Sequence, residues 1–288
     1  MNFLQHVING LVIGHGYALI AIGWTVLLGV ARLVNFGHGQ MYMLGAFVTW
    51  FSMSSLGLSY WVALPIAVLV GALVGFIMQR IMLNLTIRQD LVSVMIATLG
   101  FGYILEGVAA LTFGSTGQIL DTPLSLRDVY WGDLWFTWQD IAVVLVTIAF
   151  FIALKLVVEH SSVGRRVRMV AEDPKLALLA GVNVKWVYLG VFCFEGAAVA
   201  LAAGMVAPRT PILTSMGFDE VIITFVVVVL GGIGSVTGSY LAGLGIGIFT
   251  AFFGAYVSAA YSTAAMFVLL IALLVLRPNG MTQSMARH

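Results

Sequence analysis

The chain has 288 residues, 61% of them hydrophobic and only 9% charged; a soluble globular domain carries roughly 25% charged residues, so that class is excluded. Mean hydropathy of +1.07, with 32 glycines against 6 prolines, predicts an all-α polytopic membrane protein rather than disorder, collagen or a barrel of alternating strands. A net charge of +1 excludes a nucleic-acid partner bound by phosphate neutralisation, and the lone Cys193 rules out an internal disulfide or a four-cysteine metal site.

The gaps between charges define the spans. Val7 to Ala31 has no acidic, lysine or arginine residue and is long enough to cross a bilayer, which takes about 20 apolar residues. It does not read as a signal peptide: no lysine or arginine precedes it and no small-residue cleavage pattern follows. Met41 to Gln79 is a second uncharged stretch, broken into two spans by Ser52-Met-Ser-Ser-Leu-Gly57. Leu91 to Gly114, interrupted only by Glu106, is the fourth; Trp138 to Leu154 is the fifth; Trp186 to Ala207, interrupted only by Glu195, is the sixth. The 56 uncharged residues from Val221 to Leu276 would make one helix about 84 Å long, so they must fold back. Breaks are expected at Gly231-Gly-Ile-Gly-Ser-Val-Thr-Gly238 and at Ala255–Ser262. The piece before the first break is short and reads as a broken or re-entrant segment. The expectation is about eight full spans plus this short one, in a single transmembrane domain covering 1–288.

Basic residues orient the chain. Lys155, Arg165, Arg166, Arg168, Lys175 and Lys185 crowd one loop. Arg80 and Arg88 mark a second, and Arg277 and Arg287 the C-terminus. The positive-inside rule makes these cytoplasmic, with Arg32 near the inner face and the N-terminus outside. The loop of about 115–138, rich in aspartate with only Arg127 and belted by Trp131, Trp135 and Trp138, is expected outside.

No G-x-x-x-x-G-K-[ST] occurs, so this chain does not cradle ATP phosphates, and there is no H-E-x-x-H. Gly232-Ile-Gly-Ser235 with His15 or His38 as base is outweighed as a hydrolase by the use of serine among glycines as a packing device. The basic loop, about 159–185, carries the strongest signal. Asp173 reads as an N-cap, Pro174 fits the first helical turn, Leu176, Leu179 and Ala180 share a face, and Gly181 fits the position after the helix. This short helix either anchors the loop at the interface or docks a partner.

The loop resembles the coupling-helix region of permease subunits of branched-chain amino-acid ABC importers, whose form is G-R-x-x-R-A-x-x-E-D-P-x-x-A-x-L-L-G-I-N. The matching residues are Gly164, Arg165, Arg168, Glu172, Asp173, Pro174, Ala177, Leu179, Gly181 and Asn183. Asn35-Phe-Gly-His-Gly39, Leu230-Gly-Gly-Ile-Gly-Ser235 with Gly238, and Gly16-Tyr-Ala-Leu-Ile-Ala-Ile-Gly23 match three further blocks. The resemblance covers about Leu4 to Gly280. It implies a second related permease, two ATPase subunits that hold the ATP and magnesium, an extracytoplasmic solute-binding protein, and a bacterial inner-membrane location, with no cofactor on this chain. It also implies an aliphatic amino-acid solute, while relatives carry urea, short amides and aromatic acids. ATPase coupling is expected at Gly164, Arg165, Arg168, Glu172, Asp173, Pro174, Leu176, Leu179 and Gly181.

Polar residues inside spans are candidates for the translocation pathway: Asn35, His38, Thr98, Glu106 and Glu195, with Gly231, Gly232 and Gly234 allowing irregular backbone. Each has a structural alternative. Glu106 and Glu195 can glue helices, and Asn35 and His38 can cap helix ends. A channel or ion-coupled carrier using the two glutamates as proton sites is the alternative class; a docking helix for an ATPase separates it from the importer permease. No arginine lies mid-span to hold a free anion, which suits a zwitterion or neutral amide.

Overall fold

The computed structural model describes residues 3–88, 91–114 and 116–276; Ser115, Arg277 and Arg287 of the expected loops lie outside these. In chain order the helices are α1 (Phe3–Ala31), α2 (His38–Ser54), α3 (Tyr60–Arg88), α4 (Leu91–Phe113), α5 (Trp138–His160), α6 (Ser162–Glu172), α7 (Pro174–Leu179), α8 (Val184–Val206), α9 (Met216–Gly231), α10 (Val236–Phe253) and α11 (Ser262–Leu276). Between α4 and α5 stands an antiparallel hairpin, β1 (Asp128–Trp131) and β2 (Leu134–Thr137). Its turn is made at Gly132, whose φ of +62° suits a residue without a Cβ.

Six stretches among the described residues are long and apolar enough to cross a membrane: Phe3–Ala31, Tyr60–Met82, Leu91–Phe113, Trp138–His160, Val184–Arg209 and Val236–Leu276. The sequence counted about eight full spans. The difference has two sources. First, α2 has only 17 residues; α9, with 16, is the short segment already set apart from the eight. Second, Val236–Leu276 is one stretch by composition but bends back on itself. A π-helical turn at Gly254–Ser258 leads into an extended Ser258 and a 3-10 turn at Ala259–Tyr261. Thr250 Oγ1 then lies 3.6 Å from Met266 Sδ, two atoms that a continuous helix would hold about 24 Å apart. The break expected at Ala255–Ser262 is therefore real, and α10 and α11 are the two legs of a helical hairpin.

One end of the bundle carries the β-hairpin. Gln5 at the start of α1 exchanges two hydrogen bonds with the Trp135 backbone, at 2.7 and 2.9 Å. Thr137 and Asp140 cap α5 reciprocally, and Asp140 also holds Arg209, just past α8, at 2.8 Å. The other end carries α6 and α7. There Arg32, in left-handed backbone at φ +54°, turns the chain out of α1 and donates to the carbonyls of Ala171 at 3.0 Å and Glu172 at 3.4 Å. Thus α1 runs from the hairpin end to the α6–α7 end, and α8 runs back.

That opposition extends to the whole packing. α1 lies on α10 where Gly10 and Gly14 face Gly247 and Gly243–Leu244 with backbones touching. α8 lies on α3 in the same way, Gly196 against Gly71 and Phe192 against Gly75. α1 and α8 cross each other at Gly23 and Glu195. α2 and α9 meet at Gly39 and Gly217, so close that neither position has room for a Cβ. The units α1–α4 and α8–α11 are therefore inverted counterparts, each with one short helix second in order, the organisation of inverted-repeat transporters. α1 is central: Ala18 to Ile22, Trp24 and Leu27 are buried, as expected of a helix apolar on every side.

Candidate functional site

Six non-helical residues, 32–37, separate α1 from α2 and return the chain from the end of α1 to the bundle interior. They bring Asn35 and His38 to Glu195, the midpoint of α8. Asn35 Nδ2 donates to Glu195 Oε2 at 3.0 Å, and its Oδ1 accepts from the Gly37 amide at 2.9 Å. His38 Nδ1 lies 3.0 Å from Glu195 Oε1. With the carboxylate as acceptor for both neighbours, the proton of this bond is carried on Nδ1. Thr98 of α4 closes the linker by accepting from the Phe36 amide at 3.1 Å. All four side chains are buried. The Trp24 ring covers His38, stacked at 5.2 Å and 16°.

These contacts explain how a carboxylate is tolerated at the centre of a span, where exposure to lipid would cost about 2.5–3.5 kcal/mol on insertion scales. Both Glu195 oxygens have donors, and the group sits at the N-terminus of α2, the positive end of its dipole. Gly37 caps α2 and Ser215 caps α9 without a side-chain hydrogen bond. Two short helices thus present their N-termini to the same interior region.

Of the candidate pathway residues, the structure brings Asn35, His38, Thr98 and Glu195 into one network and leaves Glu106 out of it. Glu106 lies on α4, with its Oε2 buried and without a hydrogen-bond partner. Gly231, Gly232 and Gly234 form the α9–α10 turn, where Gly232 and Gly234 have φ of +96° and +81°. Gly234 packs on Gly29 of α1, about 8 Å along that helix from Trp24. Trp24, Gln40, Glu220 and Thr224 carried no signal along the chain. Trp24 Nε1, His38 Nε2, Gln40 Oε1, Glu220 Oε2 and Thr224 Oγ1 are buried with hydrogen-bonding capacity unused. They sit on α1, α2 and α9, the helices that converge at the network. Glu220 was hidden in the sequence because, with Asp219, it merely bounded an uncharged stretch.

The basic loop folds as two helices where the sequence pointed to one. Ser161 caps α6 by accepting from Gly164 at 2.9 Å. Gly164 packs against the carbonyls of Val157 and Val158 with no room for a side chain, and Arg168 donates to the Val158 carbonyl. Arg165 is exposed. The Glu172 carbonyl is a receptor for Arg32. Asp173 Oδ1 accepts from Lys175 and Leu176 at 2.7 and 3.2 Å, and Pro174 opens α7. Gly181 at φ +81° ends it, with Val182 bonded back to Ala177 and Gly181 to Leu178, the paired 6→1 and 5→2 bonds of a Schellman stop. Ala177 is buried while Leu176, Leu178 and Leu179 are exposed, Leu179 by 84%. α7 is pinned by its alanine and shows its leucines outward.

Inverted helical units, two short helices meeting inside the bundle and a polar network at their junction define a polytopic membrane protein of transporter architecture. The chain belongs to the branched-chain amino acid transport system / permease component family, whose model matches residues 6–276. It is 33% identical to the high-affinity branched-chain amino acid transport system permease protein LivH of Escherichia coli strain K12, over 97% of this chain and 95% of that one. It is 28% identical to the permease protein BraD of Pseudomonas aeruginosa, with the same coverage of both. It is also 28% identical to the permease protein LivM of Escherichia coli strain K12, over 76% of this chain and 57% of LivM. Among solved structures, PsaBC from Streptococcus pneumoniae in complex with Fab is similar in fold, with a TM-score of 0.53 over 97% of this chain and 93% of that chain at 14% identity. The protein is the permease component of a transport system.

Proposed function

We propose that this chain supplies half of the translocation pathway of an ATP-driven importer for branched-chain or other small aliphatic amino acids in a bacterial inner membrane. A second, related permease supplies the other half. Similarity to both LivH and LivM of one organism supports a heterodimer. ATP and magnesium belong to two separate ATPase subunits, a binding protein delivers the solute from outside, and this chain carries no cofactor. The N-terminus and the hairpin end face outside; α6, α7 and the C-terminus face the cytoplasm. α2 and α9 act as half-helices, and the remaining long legs, with α10 and α11 counted separately, cross the bilayer. Asn35, His38, Thr98, Glu106, Glu195 and the glycines Gly231, Gly232 and Gly234 shape the pathway. Gly164, Arg165, Arg168, Glu172, Asp173, Pro174, Leu176, Leu179 and Gly181 build the coupling corner.

The observation that carries this reading is α7: a six-residue helix, stopped at both ends, with three leucines turned to solvent. A monomeric carrier has no use for such a surface, whereas an ATPase cleft would bury it. Leu179→Asp should leave the chain in the membrane and lower leucine uptake by the reconstituted complex at least ten-fold. Burying an uncompensated carboxylate in a docking cleft costs several kcal/mol, and 1.4 kcal/mol is already ten-fold. Uptake and ATPase attachment equal to those of the parent would exclude docking through α7.

Orientation is tested at Leu126, which is exposed between Thr122 and the hairpin. In a background with Cys193→Ala, Leu126→Cys should react with a membrane-impermeant maleimide in intact spheroplasts. Reaction only after lysis would invert the assignment.

A further inference from the structure

We infer that the groove between α5, α6 and α8 is a binding site for an anionic phospholipid of the leaflet on the α6–α7 side. The groove has a volume of about 1360 Å³, larger than the ~300–1,000 Å³ that holds a compact ligand. Its shape suits a long one. Phe150 and Phe194, stacked at 5.8 Å and 5°, close its deep end. Val157 and Val187 are among its walls, and Val26 of α1 is its floor. From Phe194 to Asn183 at the mouth, α8 rises about 16 Å, a span that takes most of an acyl chain.

The mouth is built differently. Arg165, Arg166 and Arg168 of α6 line it together with the single acid Glu172. Arg168 already gives one donor to the Val158 carbonyl, which aims its guanidinium along the groove rim. Trp186 lines the same mouth and is 69% exposed, and an indole of that kind settles at headgroup level. An apolar slot ending in arginines and one tryptophan is complementary to acyl chains under a phosphate, and basic pockets between membrane helices take such headgroups.

The groove is separate from the polar network. Val26 and Trp24 are two residues apart on α1, about 200° around the helix. One floors the groove while the other stacks on His38, so α1 stands between lipid and network. The site rests on the helices crossing the membrane and not on the identity of the solute.

Gly190 provides the test. It lines the groove, and a Cβ there meets nothing within 4 Å, so Gly190→Leu fills the slot without disturbing the backbone. The full-length chain, purified with its partner subunits, would be exchanged into detergent with equimolar phosphatidylglycerol and phosphatidylcholine and examined by native mass spectrometry. Retained phosphatidylglycerol should exceed phosphatidylcholine at least five-fold. Gly190→Leu should remove at least two-thirds of that excess. Arg165→Gln with Arg166→Gln should lower it about five-fold or more, near the attraction of one surface basic residue per step, and keeps the test open if Gly190→Leu does not fold. Gly245→Leu, at another open glycine on α10, should change nothing. Equal retention of the two lipids, or an excess that survives both groove and arginine variants, would overturn the proposal. Uptake that fails in the parent complex while lipid selectivity persists would count against the solute and leave the groove standing.

Discussion

Glu195→Ala is expected to cost about 3–5 kcal/mol of folding stability, the range for breaking a buried pair by removing one partner. The carboxylate is the common acceptor for Asn35 Nδ2 and His38 Nδ1, and all three groups are buried. Truncation therefore strands the His38 donor and leaves Asn35 Nδ2 only the weak Met41 thioether at 3.9 Å, at about 1–3 kcal/mol for each unsatisfied group. Glu195→Gln should be far milder, about 1 kcal/mol. Its carbonyl accepts from Asn35, and its amide donates to His38 once the imidazole proton moves to Nε2, which the tautomer freedom of histidine permits. Thermal unfolding in detergent, followed by loss of the monodisperse peak, measures the order parent, Gln, Ala. An alanine variant as stable as the parent would show that the network contributes nothing to the fold.

The second large effect is steric and depends on position within one helix. Gly247 of α10 has the Gly14 backbone and the Gly10 carbonyl where its Cβ would be, so Gly247→Ala must push α1 and α10 apart. A forced backbone shift of this kind costs about 3 kcal/mol or more. Gly245, two residues earlier, has open space at its Cβ; Gly245→Ala should be neutral or gain up to about 1 kcal/mol from helix propensity. The same methyl group thus has opposite consequences on the two faces of α10. Melting temperatures of the two variants that moved together would contradict the close α1–α10 contact.

These effects show which parts of the architecture could be read along the chain. α7 was legible because everything that shapes it is local: Asp173 caps, Pro174 starts, Gly181 stops. The fold-back after α10 was legible because 56 uncharged residues exceed a bilayer. α6 was missed because its apolar residues Val163, Val167 and Val170 are interleaved with arginines and mimic a solvated loop. α2 read as an ordinary span, since Met41 onward is uncharged; its shortness comes from the linker at 32–37 starting it inside the bundle. The polar network was legible only as a set of residues. Glu106 and Glu195 look alike in sequence, each alone in an apolar run. Only the packing of α8 beside α2 gives Glu195 two donors and leaves Glu106 Oε2 with none. Pairing across roughly 160 residues has no local signature.

The Arg32 contact gives the chain a short line of force. Its side chain grips the carbonyls of Ala171 and Glu172, and its backbone opens the linker that leads into α2 at His38. A tug on the α6–α7 corner therefore reaches Asn35 through one hydrogen-bonded link and three peptide units, without passing through the length of α8. Because the linker is pinned by the hydrogen bonds of Phe36 to Thr98 and of Gly37 to the Asn35 side chain, it has little slack to absorb that pull. Lengthening it by two glycines would act as a loosened cable: both ends intact, displacement no longer delivered.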